Sequence, residues 1–115
     1  ETGWLKKLKK KKLEVQVRSV FLQGLLLNYW KLPKKLKELH RELLKWNKWL
    51  KKNNQNSLQA SLAFVQKHKQ LDGIIVGCDN KNQLNEILNY MEMKSNLELP
   101  NLNIKNHRLI DPRNW

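Results

Sequence analysis

Two short strand patterns, separated by a long helix-period stretch, constrain this sequence most. Leu13, Val15 and Val17 alternate with Glu14, Gln16 and Arg18, and residues 20–22 follow as a wholly apolar run. This predicts a strand over residues 13–22, ended by Gly24. A second apolar run, residues 71–76 with Ile74, Ile75 and Val76 at its heart, predicts another strand. Between them Leu36, Leu39, Leu43, Trp46 and Leu50 recur at steps of three and four, so they form one stripe of a helix that begins near Pro33. The polar run at 53–56 breaks that helix. Ser57 is the expected N-cap of the next one, because its hydroxyl can accept from a free backbone N–H. That helix should turn Leu58, Leu62 and Val65 inward and end near Lys69.

A basic helix over residues 4–12 precedes the first strand, with Trp4, Leu5 and Leu8 expected to pack on a core. After the second strand, Asp79 or Asn80 should cap a last helix whose inner face is Leu84, Ile87, Leu88 and Met91. The order is strand, helical crossover, strand, with a helix at each end, so the two strands should run parallel. Two parallel strands cannot bury both faces by themselves. The fold class is therefore α/β, and the chain reads as a slice of a larger sheet or barrel. The first residue is Glu1 rather than Met, which fits a slice or a processed chain. Residues 93–115 form a tail whose Leu97, Leu99, Leu102, Leu109, Ile110 and Trp115 should dock on a neighbouring surface.

The charge is lopsided: 23 Lys and Arg face 10 Asp and Glu, a formal +13 over 115 residues. Such an excess suits nucleic acid, an anionic membrane surface or phosphate ligands. The lysines alternate with helix-period apolar residues, however, so a solvated outer surface accounts for most of them. Five Trp call for buried surface somewhere. One cysteine, Cys78, excludes a disulfide framework within the chain and fits a reducing cytoplasm. The sequence has no run of about 18 apolar residues that would span a membrane. Cys and His do not follow metal-site spacing, and neither a Walker motif nor a Gly-x-Gly-x-x-Gly motif occurs.

In parallel α/β folds ligands bind where strands end. Here those ends are residues 18–24 and 76–80. Each holds a glycine and polar donors, and the second leads directly into a helix start that favours a phosphate. The stretch VRSVFLQGLLL from residue 17, then SLQASLAFV from 57 and DGIIVGCDNKNQLNEIL from 72, resembles the last two strand–helix units of aldo/keto reductases. In that family the penultimate strand ends in a pattern like Tyr-Ser-Pro-Leu-x-x-Gly-Leu-Leu, and the last one reads Ile-Pro-Gly followed by Gln-Leu-x-x-Asn.

The resemblance implies the carboxyl-terminal fragment of a (β/α)8 TIM barrel: helix, strand 7, helix 7, strand 8, helix 8 and tail. Residues 1–92 would be the partial barrel and 93–115 the tail. It implies an oxidoreductase with NADP or NAD as cofactor and a carbonyl substrate in the full-length parent. Ser19, Phe21 and Gln23, beside Gly24, match positions at the cofactor pyrophosphate and nearby ribose. Gly77, Cys78 and Asp79 match the loop at the adenosine phosphate, and Gln83 matches a position beside the adenine. Arg18 stands where many members place an aromatic ring against the nicotinamide. Ile87 replaces an Asn near the adenine, and Asp79 puts a negative charge where the 2′-phosphate of NADP would sit, with Lys81 near enough in sequence to offset it. The family's catalytic Tyr, Lys, Asp and His lie on early strands that have no match here. Tyr29, Tyr90, His40, His68 and His107 fall in the wrong segments, so the fragment alone should be inactive. The alternative reading is a small basic module. In it the lysines of residues 6–12 and 31–52 would track nucleic-acid phosphates or an anionic surface, with Trp4, Trp30, Trp46 and Trp49 beside them.

Overall fold

The structure, a computed structural model, describes residues 3–93, 98–102, 104 and 106–114; at 29, 107 and 112 only the backbone is described. Helix α1 (Trp4–Lys10) leads to strand β1 (Gln16–Arg18). A coiled connection with two 3-10 turns follows, the second at Lys34–Leu39, and it runs into α2 (His40–Lys52). Then come α3 (Ser57–Gln66), strand β2 (Gly73–Ile75) and α4 (Lys81–Glu92). The strands pair in parallel, with Gln16 opposite Gly73, Val17 opposite Ile74 and Arg18 opposite Ile75. Mixed α/β architecture and parallel pairing thus follow the sequence pattern.

The helical stripe also behaves as its period requires. Leu36, Leu39, Leu43, Trp46 and Leu50 are all buried. Leu36, Leu39 and Leu43 gather around Leu25, with Leu22, Leu32, Ile104, Leu109 and Ile110 against them. Trp46, Leu50 and Ala60 make a second cluster that receives Leu99 and Leu102, and Leu26 touches both clusters. The tail therefore docks on the crossover, as its apolar residues suggested; Leu97 and Trp115 lie outside the described residues. Leu39 and Leu62 are fully enclosed, each contributing roughly 1.5–3 kcal/mol relative to an exposed side chain.

Five local readings change. First, the 13–22 strand is short. Pairing stops at Arg18, and residues 20–27 coil through hydrogen-bonded turns such as Leu22 N to Ser19 O and Leu25 N to Leu22 O. The apolar run at 20–22 is half-buried, with Leu22 packed against the cluster around Leu25, and is not a strand covered on both faces. Second, the crossover helix starts as a 3-10 turn, with a kink at Leu36. Third, Asn56 is the cap of α3: its Oδ1 accepts from the N–H groups of Leu58 and Gln59, and Ser57 falls inside the helix. Fourth, of the α4 face only Ile87 is buried; Leu84 and Leu88 are 41% and 51% exposed. Fifth, α1 buries no residue, and Trp4 lies outside with Lys7 5.0 Å above its ring. Of the Trp side chains described, only Trp46 is buried.

An ion pair ties α1 to the start of β2. Asp72 accepts from Lys9 Nζ at 2.8 Å and from Val15 N at 2.7 Å, while Asp72 N donates to Val15 O. This clasp extends the two-strand pairing by one residue at the start of β2. The Lys9 ammonium, then the Val15 N–H, hold the Asp72 carboxyl below its ordinary range. A carboxyl whose pKa is lowered on folding adds stability that is complete above the unfolded value of about 3.9 and fades as pH falls through the folded value. The melting temperature of Asp72→Asn should therefore lie below that of the native chain near neutral pH, with the gap closing below about pH 4. A gap that stays constant through acid pH would show that the carboxylate charge is not what matters.

Candidate functional site

The carboxyl ends of β1 and β2 open side by side onto one cleft of about 960 Å³. Its first wall is the coil after β1, carrying Arg18, Ser19, Phe21, Gln23 and Gly24. Gly77, Cys78 and Asp79 after β2, with Gln83 from α4, make the second wall. All nine residues singled out from the sequence therefore line the same space. Sequence reasoning missed the floor, where the first turn of α3 contributes Asn56, Ser57 and Leu58. It also missed Glu86, one helical turn beyond Gln83. A signal for the floor was present: Asn-Ser before an apolar helix pattern marks a helix start, and helix starts gather at strand ends in this architecture.

The first wall is an unusual piece of backbone. Ser19, Leu22 and Gln23 have φ of 60°, 50° and 53°, and Gly24 has 80°. Left-handed conformation costs a non-glycine residue roughly 1–2 kcal/mol, so three such residues must be held by their surroundings. They are held at the carboxyl end of the segment. Leu25 sinks into the Leu36–Leu39–Leu43 cluster, and Asn28 N and Leu27 N both donate to Gly24 O. Below them, Trp46 Nε1 donates to Leu26 O at 3.2 Å and to Ser57 Oγ at 3.0 Å, and Ser57 Oγ donates to Leu26 O. An indole N–H and a hydroxyl thus tie the wall to α2 and α3 through one backbone carbonyl.

The second wall is set by its helix start. Asn80 Oδ1 accepts from Gln83 N at 3.0 Å, and Gln83 Oε1 accepts from Asp79 N at 2.7 Å. This is a reciprocal arrangement of the capping-box kind. It commits the Gln83 carbonyl to the backbone and leaves its amide N–H groups for the cleft. Gly77 adopts no left-handed conformation, and a β-carbon there would meet nothing within 4 Å. Neither a turn nor a neighbour therefore requires that glycine.

Charge in the cleft is sparse. Arg18 is the cation of the lining, and Asp79 and Glu86 are its acids. The Cys78 thiol is free and exposed. His40 and His68 are exposed and lie outside the lining, as does Tyr90; the side chains of Tyr29 and His107 lie outside the described residues. Among the described residues no three His, Cys, Asp or Glu side chains form a metal-binding group, and no helix is long and apolar enough to cross a membrane. Compared with protein-family models, curated proteins and solved structures, the chain finds no match.

The division of labour between Asn56 and Ser57 is open to measurement. Ser57→Ala should cost about 1 kcal/mol in urea unfolding, by leaving Leu26 O one donor short, while Leu58 and Gln59 keep their amide-exchange protection. Asn56→Ala should cost a similar amount but expose those two amides. Loss of protection in the serine variant instead would mean that the hydroxyl is the cap.

Proposed function

We propose that this chain forms the last two strand–helix units of an aldo/keto reductase-like (β/α)8 barrel. Its cleft would hold a nicotinamide dinucleotide, NADP or NAD, within an oxidoreductase that works in the cytoplasm. The single observation that carries this reading is the convergence of the two strand ends: nine residues chosen from the resemblance line one cleft at the position where parallel α/β folds bind ligands. The exposed apolar residues fit the same view. Ile75 on β2 is 55% exposed, and Leu84 and Leu88 on α4 stand open, as the flanks of a barrel segment would before adjoining strands and helices cover them.

The lining fits a dinucleotide in kind and size. A space of about 960 Å³ is at the upper end of ordinary ligand pockets, roughly 300–1,000 Å³. The starts of α3 and α4 both border it, so two helix dipoles favour an anion there. Arg18 adds a full positive charge at the end of β1. Open space at Gly77 admits a ligand backbone close to the chain. The bound group would supply the hydride chemistry, transferred to a carbonyl or from an alcohol. This chain's residues would grip and orient it, and the proton donor would come from the strands that precede these two.

Titration of the purified chain with NADH and NADPH should quench or shift tryptophan fluorescence saturably, and alkylation of Cys78 should slow when cofactor is bound. The same sample should turn over no aldehyde. Absence of saturable binding into the millimolar range would remove the cofactor role, and turnover by the chain alone would overturn the assignment of the acid to other strands.

A further inference from the structure

The 3-10 turn at Lys34–Leu39 and α2 are divided lengthwise. Their apolar stripe faces the core, and cations fill the other side. Residues 31–52 hold nine Lys or Arg and two Glu. Lys34, Lys37, Arg41, Lys45, Lys48 and Lys52, spaced three or four apart, are all exposed. At 100° per residue, Arg41, Lys45, Lys48 and Lys52 fall on the side of α2 opposite Leu39, Leu43, Trp46 and Leu50. They form one row. The two carboxylates neutralise it only in part. Glu42 lies buried at the flank and holds Arg41 Nε at 3.1 Å and Lys45 Nζ at 3.0 Å, and Glu38 is exposed beside it. Lys34, Lys37, Lys48 and Lys52 have no ion pair among the described residues.

We propose that this row docks the phosphate backbone of a nucleic acid, independently of the cleft and of the reading given to it. Spacing and rigidity favour this partner. Arg41 to Lys52 covers eleven helical steps, about 16 Å, a length along which one strand of a duplex presents about five phosphates. The row is mounted on a helix whose other side is locked into the core, so little ordering is needed on contact. A lipid surface fits less well. A helix lying on a membrane inserts an apolar face, and the apolar face of α2 is buried within the protein. The large apolar side chains exposed among the described residues, such as Phe64, Ile75 and Leu88, lie off α2. Contact is with phosphates alone, so binding is indifferent to base sequence.

The test is fluorescence anisotropy of a labelled random-sequence DNA duplex titrated with the full chain over a range of salt. Each phosphate neutralised contributes about −0.9 to the slope of log K against log salt, so a slope of about −4 or steeper is expected. Replacing Lys34, Lys37, Lys48 and Lys52 by Gln should flatten the slope by about three units. Gln has nearly the helix propensity of Lys, and circular dichroism should show the fold retained. A matched variant with Lys6, Lys7, Lys10 and Lys11 replaced by Gln removes the same charge from α1 and should change the slope by less than about one unit. Equal losses in both variants would mean that net charge, not the row, does the binding, and would overturn the proposal. So would failure to bind the duplex in low salt. Tighter binding to phosphatidylserine vesicles, weakened by the α2 changes, would overturn it in favour of a membrane surface.

Discussion

One backbone carbonyl holds the cleft in shape. Leu26 O receives the Trp46 indole N–H and the Ser57 hydroxyl, and that hydroxyl also accepts from the indole. Three segments far apart in sequence meet there: the coil after β1, the middle of α2 and the first turn of α3. A buried indole must find an acceptor, and a buried carbonyl must find a donor, so each requirement satisfies the other. Without the knot, the left-handed backbone at Ser19, Leu22 and Gln23 would be free to relax toward ordinary conformations. The first wall of the cleft is thus not a property of its own residues. It is imposed by a tryptophan twenty residues downstream.

The packing divides into a finished half and an unfinished one. Around α2 the apolar stripe, Leu25, Leu26 and the tail close over one another and leave little exposed. Around the sheet the situation is reversed. β1 and β2 are three residues each, are paired only to one another among the described residues, and expose Ile75. Parallel pairs are normally covered on both faces because their crossover helices lie across them. Here α3 packs against α4 and buries Ile87, Leu62 and Val65, but Leu84 and Leu88 remain open. The cleft lies on the unfinished half, and the crossover that supports it on the finished half. A structure divided in this way keeps its cleft geometry while its sheet edges stay unpaired among the described residues.

How far the sequence disclosed this follows from which interactions are local. The stripe from Leu36 to Leu50 was legible because helical period alone decides which side is buried, and all five residues are buried. Parallel pairing was legible from the length of the crossover. Strand length was not. An apolar run at 20–22 reads as strand by composition, yet a tertiary contact at Leu25 and the tie at Leu26 bend it into turns. The cap of α3 was misread by one residue because Asn and Ser stand side by side, and the choice depended on Leu26 O competing for the serine. Likewise α4 has a regular apolar face, but periodicity states which side could be buried, not what is there to cover it. For the cleft, the strand ends pointed to residues 18–24 and 76–80 and the resemblance picked out nine residues, Gln83 among them; Ser57 and Leu58 were read only as a helix start, not as a wall of the cleft.

Charge is partitioned as sharply as packing. A chain of +13 lines its cleft with one arginine and two carboxylates, and its lysines lie outside that lining, eight of them on α1 and α2. Exposed charges are screened beyond about 10 Å in ordinary salt, so the distant lysines add little at the cleft itself. The dinucleotide proposed for the cleft would rely on what is local: the dipoles of two helix starts, and Arg18. Such a site would select a ligand by shape and by where its phosphates fall, whereas the row proposed on α2 would select only by density of negative charge. Asp79 and Glu86 put negative charge on the α4 side of the cleft, against the favourable dipole of that helix start. The two proposed kinds of anion recognition would thus occupy separate parts of the chain, the cleft lining carrying no lysine.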